Sequence, residues 1–153
     1  MFPIVASVLL ALVLSQSTRS DEKAPNCTDV MGEYAAPQKV RDPLFKKIPE
    51  AMNQTLKYNC TLENIASATA NFDRFDAYVG YLYDEIPNLN QTVYKEKNDQ
   101  PPTGERLVNL NISAFINNAT GNWTDELKQM GEKTQFGCFL DEGYNFTLVC
   151  AFI

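Results

Sequence analysis

Histidine is absent from this chain of 153 residues. It is the side chain most often used as a general base near neutral pH, as a zinc ligand and as the partner of a nucleophilic serine or cysteine. Its absence therefore excludes the usual His-dependent hydrolases and zinc enzymes. Glycine is also scarce, with seven residues, and neither a Walker loop nor a Gly-x-Gly-x-x-Gly stretch occurs. A phosphate-cradling loop is not expected.

Positive charge is the next shortage. Lysine and arginine number 13 against 19 acidic residues, the net charge is −6 and the sequence pI is about 4.6. Such a balance argues against nucleic acid as a partner, since nucleic-acid-binding proteins present a basic face. The composition, 44% hydrophobic and 21% charged, is that of a globular chain. The length suits one domain.

Long apolar runs are limited to one, IVASVLLALVL at residues 4–14. It is short for a bilayer span and has the length of a secretory h-region, followed by the small residues that a signal peptidase reads. We therefore predict a signal peptide at residues 1–20 and a single secreted domain at residues 21–153. The sequence predicts no membrane span, and its end lacks a lipid-anchor signal.

Asn-x-Ser/Thr sequons are unusually frequent. Fourteen asparagines and seventeen serines and threonines would form one or two sequons by chance. The chain contains them at Asn26, Asn53, Asn59, Asn90, Asn111, Asn118, Asn122 and Asn145. This excess predicts an exported, glycosylated and extracellular protein.

Four cysteines allow three pairings. Cys138 and Cys150 flank a predicted hairpin with a turn at Asp141-Glu142-Gly143, and period two places both on its aromatic face. We expect them to pair across the strands, which by elimination pairs Cys27 with Cys60. In an oxidising compartment these are structural bridges rather than redox or metal sites.

Elsewhere the periodicity predicts mostly short elements. Residues 29–45 read as a helix interrupted by Pro37 and Pro43, and residues 49–58 have room for another turn or two. A helix is predicted from an N-cap at Thr61 to about residue 74.

The second half of the chain is less regular. Residues 87–104, polar and with three prolines, read as a loop. Residues 107–116 alternate as a strand does, although helical spacing also fits. Residues 123–130 read as a short helix before the closing hairpin.

Two side-chain groupings are candidates for chemistry. Acidic residues could act in pairs in a glycosidase or bind calcium, but they lie beside turn signals where acids are ordinarily solvated: Asp73, Asp76, Asp84, Glu85, Asp125, Glu126, Asp141 and Glu142. An apolar ligand groove could be lined by Tyr78, Tyr81, Leu82 and Phe115, although packing of the tyrosines against a helix is the simpler reading.

Two stretches resemble the CAP superfamily of cysteine-rich secretory, antigen 5 and pathogenesis-related-1 proteins. LKYNCTLENIA (residues 56–66) is similar to the family's Leu-x-Tyr-Asp-Cys-x-Leu-Glu helix entry, and the end of the chain is similar to its closing block, with matches at Gln129-Met130, Phe136-Gly137-Cys138 and Val149-Cys150. The likeness is greatest to the secreted proteins of parasitic nematodes. A coccidian surface-antigen group with a CAP-like core is a second candidate.

The resemblance implies an α+β fold, a reduced α-β-α sandwich that ends in a disulfide-linked hairpin. It also implies a cleft in which the family has two histidines and two glutamates. Here the closing-block histidine aligns with Glu126, and the first-helix histidine has no counterpart in residues 29–41. We therefore expect no metal and no cofactor.

The resulting hypothesis is a secreted, non-catalytic glycoprotein that binds a host protein or cell surface. The non-enzymatic character follows from the residues themselves, whereas the host-facing role is implied by the family alone. The alternative is a small lipid or sterol carrier that uses an apolar groove.

Overall fold

The computed structural model describes residues 23–71, 85–99 and 110–153. The helices are α1 (Thr28–Met31), a 3₁₀ turn (Gly32–Tyr34), α2 (Gln38–Met52), α3 (Cys60–Asn71), α4 (Ile112–Asn122) and α5 (Thr124–Gln129). The strands are β1 (Lys57–Tyr58), β2 (Asn90–Lys97), β3 (Gln135–Glu142) and β4 (Asn145–Phe152). The predicted signal peptide lies outside the described residues.

The strands form one mixed sheet in the order β1-β3-β4-β2. β1 is parallel to β3, and the other two pairs are antiparallel. One face packs against α2, α4 and α5 through a core that contains Phe136, Leu148 and Phe152. The opposite face packs against α3 through Phe139 and Val149. The predicted α+β class is confirmed, and helices cover both faces of the sheet as the predicted α-β-α sandwich requires.

The closing hairpin is formed as predicted, with Cys138 opposite Cys150 and bridged to it. Their Cα atoms are 4.1 Å apart, as in a non-hydrogen-bonded pair, so the backbone N–H and C=O of Cys138 point away from β4. The hairpin's second face, which includes the sequon threonine Thr147, is buried too, because α3 covers it. A second disulfide joins Cys27 to Cys60 and ties the segment before α1 to the start of α3.

Helix α2 runs continuously through Pro43 and Pro49, so the predicted break at Pro43 is wrong, although the break at Pro37 is present. Each interior proline costs about 3 kcal/mol relative to alanine. The helix buries a stripe at four-residue spacing, Val40, Leu44, Ile48 and Met52. Each such side chain contributes about 1.5–3 kcal/mol when fully buried. The stripe therefore outweighs the two prolines.

The predicted loop in the second half of the chain is wrong over part of its length. Residues 90–97, predicted as part of a loop, form strand β2 along the whole length of β4. Its sequence is polar because it lies at the edge of the sheet, with Thr92 buried and its neighbours largely exposed.

Residues 112–116, for which the sequence left a strand and a helix both open, begin helix α4. The Oδ1 of Asn111 accepts the Ala114 N–H and caps this helix. Phe115, Ile116 and Ala119 then share its buried face. The short helix predicted after it is present as α5.

The start of α3 lies directly on β3. A Cβ built on Gly137 would come within 2.3 Å of the Glu63 backbone nitrogen and 2.5 Å of the Asn59 carbonyl oxygen, so only glycine fits this crossing. The cap of α3 is Asn59 rather than the predicted Thr61, because its Oδ1 accepts the Thr61 and Leu62 N–H groups. This contact explains the Phe-Gly-Cys stretch and fixes the position of Glu63.

Candidate functional site

A buried ion pair lies at the first turn of α3. The Arg41 side chain on α2 is 2% exposed and the Glu63 side chain is fully buried. Arg41 Nε donates to Glu63 Oε2 at 2.7 Å, and Nη2 donates to Oε1 at 2.8 Å. Two parallel bonds of this kind make the strongest geometry for an arginine and a carboxylate. Since α2 and α3 belong to opposite layers, the pair joins the two layers beside β1.

The remaining hydrogen-bonding capacity of this pair is also used. Glu63 Oε1 accepts the Ala36 N–H at 2.8 Å. Arg41 Nη2 donates to the Ala36 carbonyl, and Nη1 donates to Gln38 and to the Pro25 carbonyl. The network thus fixes the chain before α2, including the segment that leads to the Cys27 disulfide. We name Arg41, Glu63 and Tyr58 the buried charge network.

Tyr58 connects this network to the sheet. Its hydroxyl donates to Glu63 Oε2 at 2.6 Å and accepts the Cys138 N–H at 3.3 Å. Strand β1 ends at Tyr58, so it provides no backbone partner for Cys138. The tyrosine hydroxyl takes that place, while its ring packs edge-on against Phe136 with the ring centroids 5.1 Å apart.

The pKa values of Tyr58 and Arg41 are both shifted by their burial and by their contact with Glu63. Burial, followed by the charge of Glu63 and the hydrogen bond to it, raises the pKa of Tyr58 well above 10. Burial alone would lower the pKa of Arg41, but the hydrogen bond and charge of Glu63 more than offset it, so the pKa of Arg41 is raised. The tyrosine therefore stays neutral and the arginine charged near neutral pH. Neither group can serve as a base.

Tyr58 also helps to line an open groove of about 1190 Å³. Phe45, Pro49 and Leu56 contribute apolar surface beside it. The groove is bordered by polar and charged side chains: Lys23, Lys46, Glu50, Asn53, Gln54, Lys57 and Thr134. Three lysines against one glutamate make its rim locally basic in a chain of net charge −6. We name this concavity the lysine-rimmed groove.

Of the four residues predicted to line an apolar ligand groove, only Phe115 lies within the described part of the chain. Phe115 is buried in the core, where its ring packs edge-on against Tyr94 and Phe146. Tyr78, Tyr81 and Leu82 lie outside the described residues. The burial of Phe115 is thus the one observation on this groove, and the groove itself stays a prediction.

The sequon asparagines differ in exposure. Seven are exposed, and Asn59 is half-buried. Asn59 Nδ2 donates to Gln135 Oε1 at 2.8 Å, in addition to the capping bonds of its Oδ1. Asn26 and Asn111 also accept backbone N–H groups through Oδ1. Asn53 ends α2 in the left-handed conformation, with φ of 51°.

The candidate acids do not assemble into a site among the described residues. Glu85, Asp125 and Glu126 are exposed, while Asp141 and Glu142 are half-buried in the hairpin; Asp73, Asp76 and Asp84 lie outside the described residues. Across residues 23–71, 85–99 and 110–153, no three His, Cys, Asp or Glu side chains are placed to hold a metal ion. Over the same ranges, no helix is long and apolar enough to span a membrane.

The buried charge network and the lysine-rimmed groove were missed by the sequence analysis. A signal for the network exists, since Arg41 adjoins the apolar stripe of α2 and Glu63 lies among Leu62, Ile65 and Ala66. Two opposite charges on apolar helix faces favour a buried pair. The groove has no such signal, because its lining comes from separate elements.

Comparison with known proteins identifies the family. No curated protein sequence matches the chain. The crystal structure of Na-ASP-1 is similar, with a TM-score of 0.55 and 14% identity over 86% of this chain, which spans 42% of Na-ASP-1. The crystal structure of NaASP2 with Zn²⁺ has a TM-score of 0.52 and 12% identity over 78% of this chain and 82% of that protein. These hookworm ASP structures share the CAP fold. The model of the Ancylostoma-associated secreted protein related family, ASPR, matches residues 27–152, and the chain belongs to that family.

Proposed function

We propose that this protein is a secreted, non-catalytic glycoprotein that acts by binding a host protein or cell surface. Membership of a family of secreted proteins supports the extracellular address, as do two disulfides, which persist in oxidising compartments. Exposure of seven sequon asparagines supports glycosylation.

The observation that carries the non-catalytic reading is the state of Glu63. It is the one fully buried carboxylate among the described residues, and every hydrogen bond it accepts is structural. A general base must reach a substrate proton, and this carboxylate is enclosed by Arg41, Tyr58 and the Ala36 backbone. With no histidine in the chain, binding is the simpler activity.

The surface best suited to a protein partner is formed by Val30 and Tyr34. They are 52% and 64% exposed, four residues apart on α1 and the adjoining 3₁₀ turn. The Cys27–Cys60 bridge and the hydrogen bonds of Ala36 hold this segment on the fold. Tyr144, more exposed still, adjoins the sequon at Asn145, where a glycan would cover it.

The test is saturable binding of the labelled glycoprotein to host cells and serum proteins, with unlabelled protein as competitor. We expect a Val30→Ser/Tyr34→Ser variant to lose most of this binding and the matched Val93→Ser variant, which alters another exposed apolar residue, to retain it. Absence of saturable binding contradicts the proposal. Equal binding by the two variants would show that Val30 and Tyr34 do not form the contact surface.

The lysine-rimmed groove favours a second candidate, carriage of a lipid with an anionic head group. Apolar lining residues suit an acyl chain and the basic rim suits its charge. With a fluorescent fatty acid and unglycosylated protein, we expect Lys57→Glu to weaken binding several-fold and Lys128→Glu, a surface control on α5, to leave it unchanged. No binding, or the same loss in both variants, would exclude this function.

A further inference from the structure

The hydroxyl of Thr92 is buried without a hydrogen-bond partner among the described residues. Thr92 is 1% exposed, and its Oγ1 is the buried side-chain oxygen that lacks a hydrogen-bond partner in the described part of the chain. Leaving a buried hydroxyl unpaired destabilises a fold, and valine has the same shape without that cost. A threonine at this position therefore needs a reason outside the native packing.

That reason is available in the sequence. Thr92 is the third residue of the sequon Asn90-Gln91-Thr92, and a sequon requires the hydroxyl at that place before the chain folds. Asn90 itself is exposed, at the beginning of the edge strand β2. Its side chain is thus free to carry a sugar once the threonine is buried.

Asn59 shows the opposite pattern, since the fold alone accounts for its presence. Its Oδ1 caps α3 and its Nδ2 donates to Gln135, so the adjacent Thr61 completes a sequon incidentally. Moreover, Asn26-Cys27-Thr28 and Asn59-Cys60-Thr61 are both Asn-Cys-Thr sequons, and their two central cysteines are bridged to each other. Closing this bridge fixes the backbone at Cys60, the residue directly after Asn59.

We propose that the fold determines which of these two sequons is glycosylated. Asn90 receives a glycan, whereas Asn59 stays unmodified because closure of the Cys27–Cys60 disulfide makes it inaccessible to glycan transfer. The inference rests on the proposed passage through a glycosylating, oxidising compartment. Closure of the bridge and glycan transfer at Asn59 are then alternative fates of one segment.

Glycan transfer requires a lipid-linked sugar donor, and bridge closure requires a disulfide oxidant; that compartment supplies both. In transfer, asparagine Nδ2 forms a bond to the sugar C1, the bond from C1 to a lipid pyrophosphate breaks, and the amide releases one proton. In bridge closure, two thiols lose two electrons and two protons to a disulfide oxidant, which is reduced to a dithiol. A sugar on Asn59 Nδ2 would compete with the Gln135 hydrogen bond.

The experiment is site-by-site occupancy in protein made by eukaryotic cells, with cell-associated and secreted material pooled. Enzymatic deglycosylation in heavy-oxygen water marks each occupied asparagine by mass. We expect Asn90 to be marked and Asn59 to be unmarked in the wild type. The Cys27→Ala variant keeps the Asn59 sequon intact and should raise its occupancy several-fold, whereas Cys138→Ala/Cys150→Ala, which removes the other bridge, should not.

A second measurement tests the role of Thr92 without any glycan. In unglycosylated protein we expect Thr92→Val to raise the urea midpoint of unfolding, while Thr92→Ser keeps the sequon and should lower or retain the midpoint. The same Thr92→Val change abolishes modification of Asn90 in eukaryotic cells.

Four outcomes overturn the inference: an unmarked Asn90 beside other marked sequons, a marked Asn59 in oxidised wild-type protein, a lower midpoint for Thr92→Val, or equal effects of the two cysteine changes on Asn59. If no sequon is marked and the protein stays inside the cell, the proposed secretion fails as well. The pattern across sequons thus separates the two failures.

Discussion

The buried ion pair between Arg41 and Glu63 leads to the most demanding prediction. Replacing Arg41 with methionine keeps similar volume but leaves a fully buried carboxylate without its cation. Removal of one partner of a buried pair costs about 3–5 kcal/mol. Glu63→Met likewise leaves the buried Arg41 guanidinium without its carboxylate partner. Each single change should therefore remove a large part of the stability of a domain whose total is about 5–15 kcal/mol.

The double variant separates pairing from burial. With both charges gone, the Tyr58 hydroxyl can still donate to the Cys138 carbonyl at 3.1 Å. The groups left unpaired are mainly the Ala36 N–H and the Ala36 carbonyl, at about 1–3 kcal/mol each. We therefore expect the double variant to lose about 4 kcal/mol, close to one single variant and well short of the sum of two. That difference is the coupling energy of a double-mutant cycle.

The assay is urea unfolding followed by tryptophan fluorescence. Trp123 is the only tryptophan of the chain and is buried in the core beside α2. A matched control is Lys47→Met on the same helix, which breaks the exposed pair Lys47–Glu50, whose side chains are 43% and 64% exposed. Exposed pairs contribute about 0–1 kcal/mol. Additive losses in the double variant, or single losses no larger than the control's, would refute the role assigned to the network.

Gly137→Ala should destabilise the fold by about 1–3 kcal/mol or more, because its Cβ would overlap the α3 backbone; Gly121→Ala on α4 meets open space and should be neutral or stabilising. The Tyr58 hydroxyl makes stability depend on pH in the alkaline range. Because the folded pKa of Tyr58 is raised above 10, its contribution to the free energy of unfolding is fully present below about pH 10 and is lost as the pH rises through the folded pKa. Removing the Cys27–Cys60 bridge, which closes 33 residues of sequence separation, should cost about 4 kcal/mol on the chain-entropy estimate, somewhat more than removing the shorter hairpin bridge.

Each of these expectations has its own check. Thermal unfolding of the two glycine variants compares the same chemical change at a crowded and an open position, and equal shifts would contradict the tight crossing. For the proton effect, urea midpoints from about pH 8 to about pH 11 should fall more steeply in the wild type than in Tyr58→Phe; parallel curves would contradict it. For the bridges, a larger loss for the hairpin cysteines would show that loop length does not govern their effect.

The closing hairpin was predictable because two signals coincide there. Alternation of apolar residues from Phe146 to Phe152 and the turn at residues 141–143 agree with the cysteine positions. Period two also places Cys138 and Cys150 on one face. The α-β-α layering was predicted from the family resemblance, because no local sequence pattern indicates how the layers pack.

Strand β2 was misread, and α4 was left undecided between a strand and a helix, because their local preferences are weak and their partners are distant. β2 is polar, and the residues it pairs with on β4 are 48 to 62 positions away in the sequence. The sequence at the start of α4 alternates as a strand does, and the Asn111 side chain favours the helix because it caps the first turn. Tertiary context overrides propensity in both cases.

The candidate site was least predictable, because its parts are separated along the chain. Arg41, Tyr58 and Glu63 meet only because Gly137 lets α3 approach β3 and because β1 ends early. Sequence spacing carries no information on such a meeting. A charged residue beside an apolar helix stripe is the one warning that could have been used.

The Tyr58 hydroxyl has a consequence for association between molecules. Where β1 ends, the backbone of Cys138 on β3 would offer a free edge to a strand from another chain. Because the hydroxyl accepts the Cys138 N–H and donates to Glu63, an incoming strand would have to displace it and strip a buried carboxylate of one partner. On the opposite edge, the Trp123 indole N–H donates to the Val93 carbonyl at 3.2 Å. Among the described residues, one side-chain hydrogen bond thus occupies a backbone group at each edge of the sheet, which opposes edge-to-edge aggregation there.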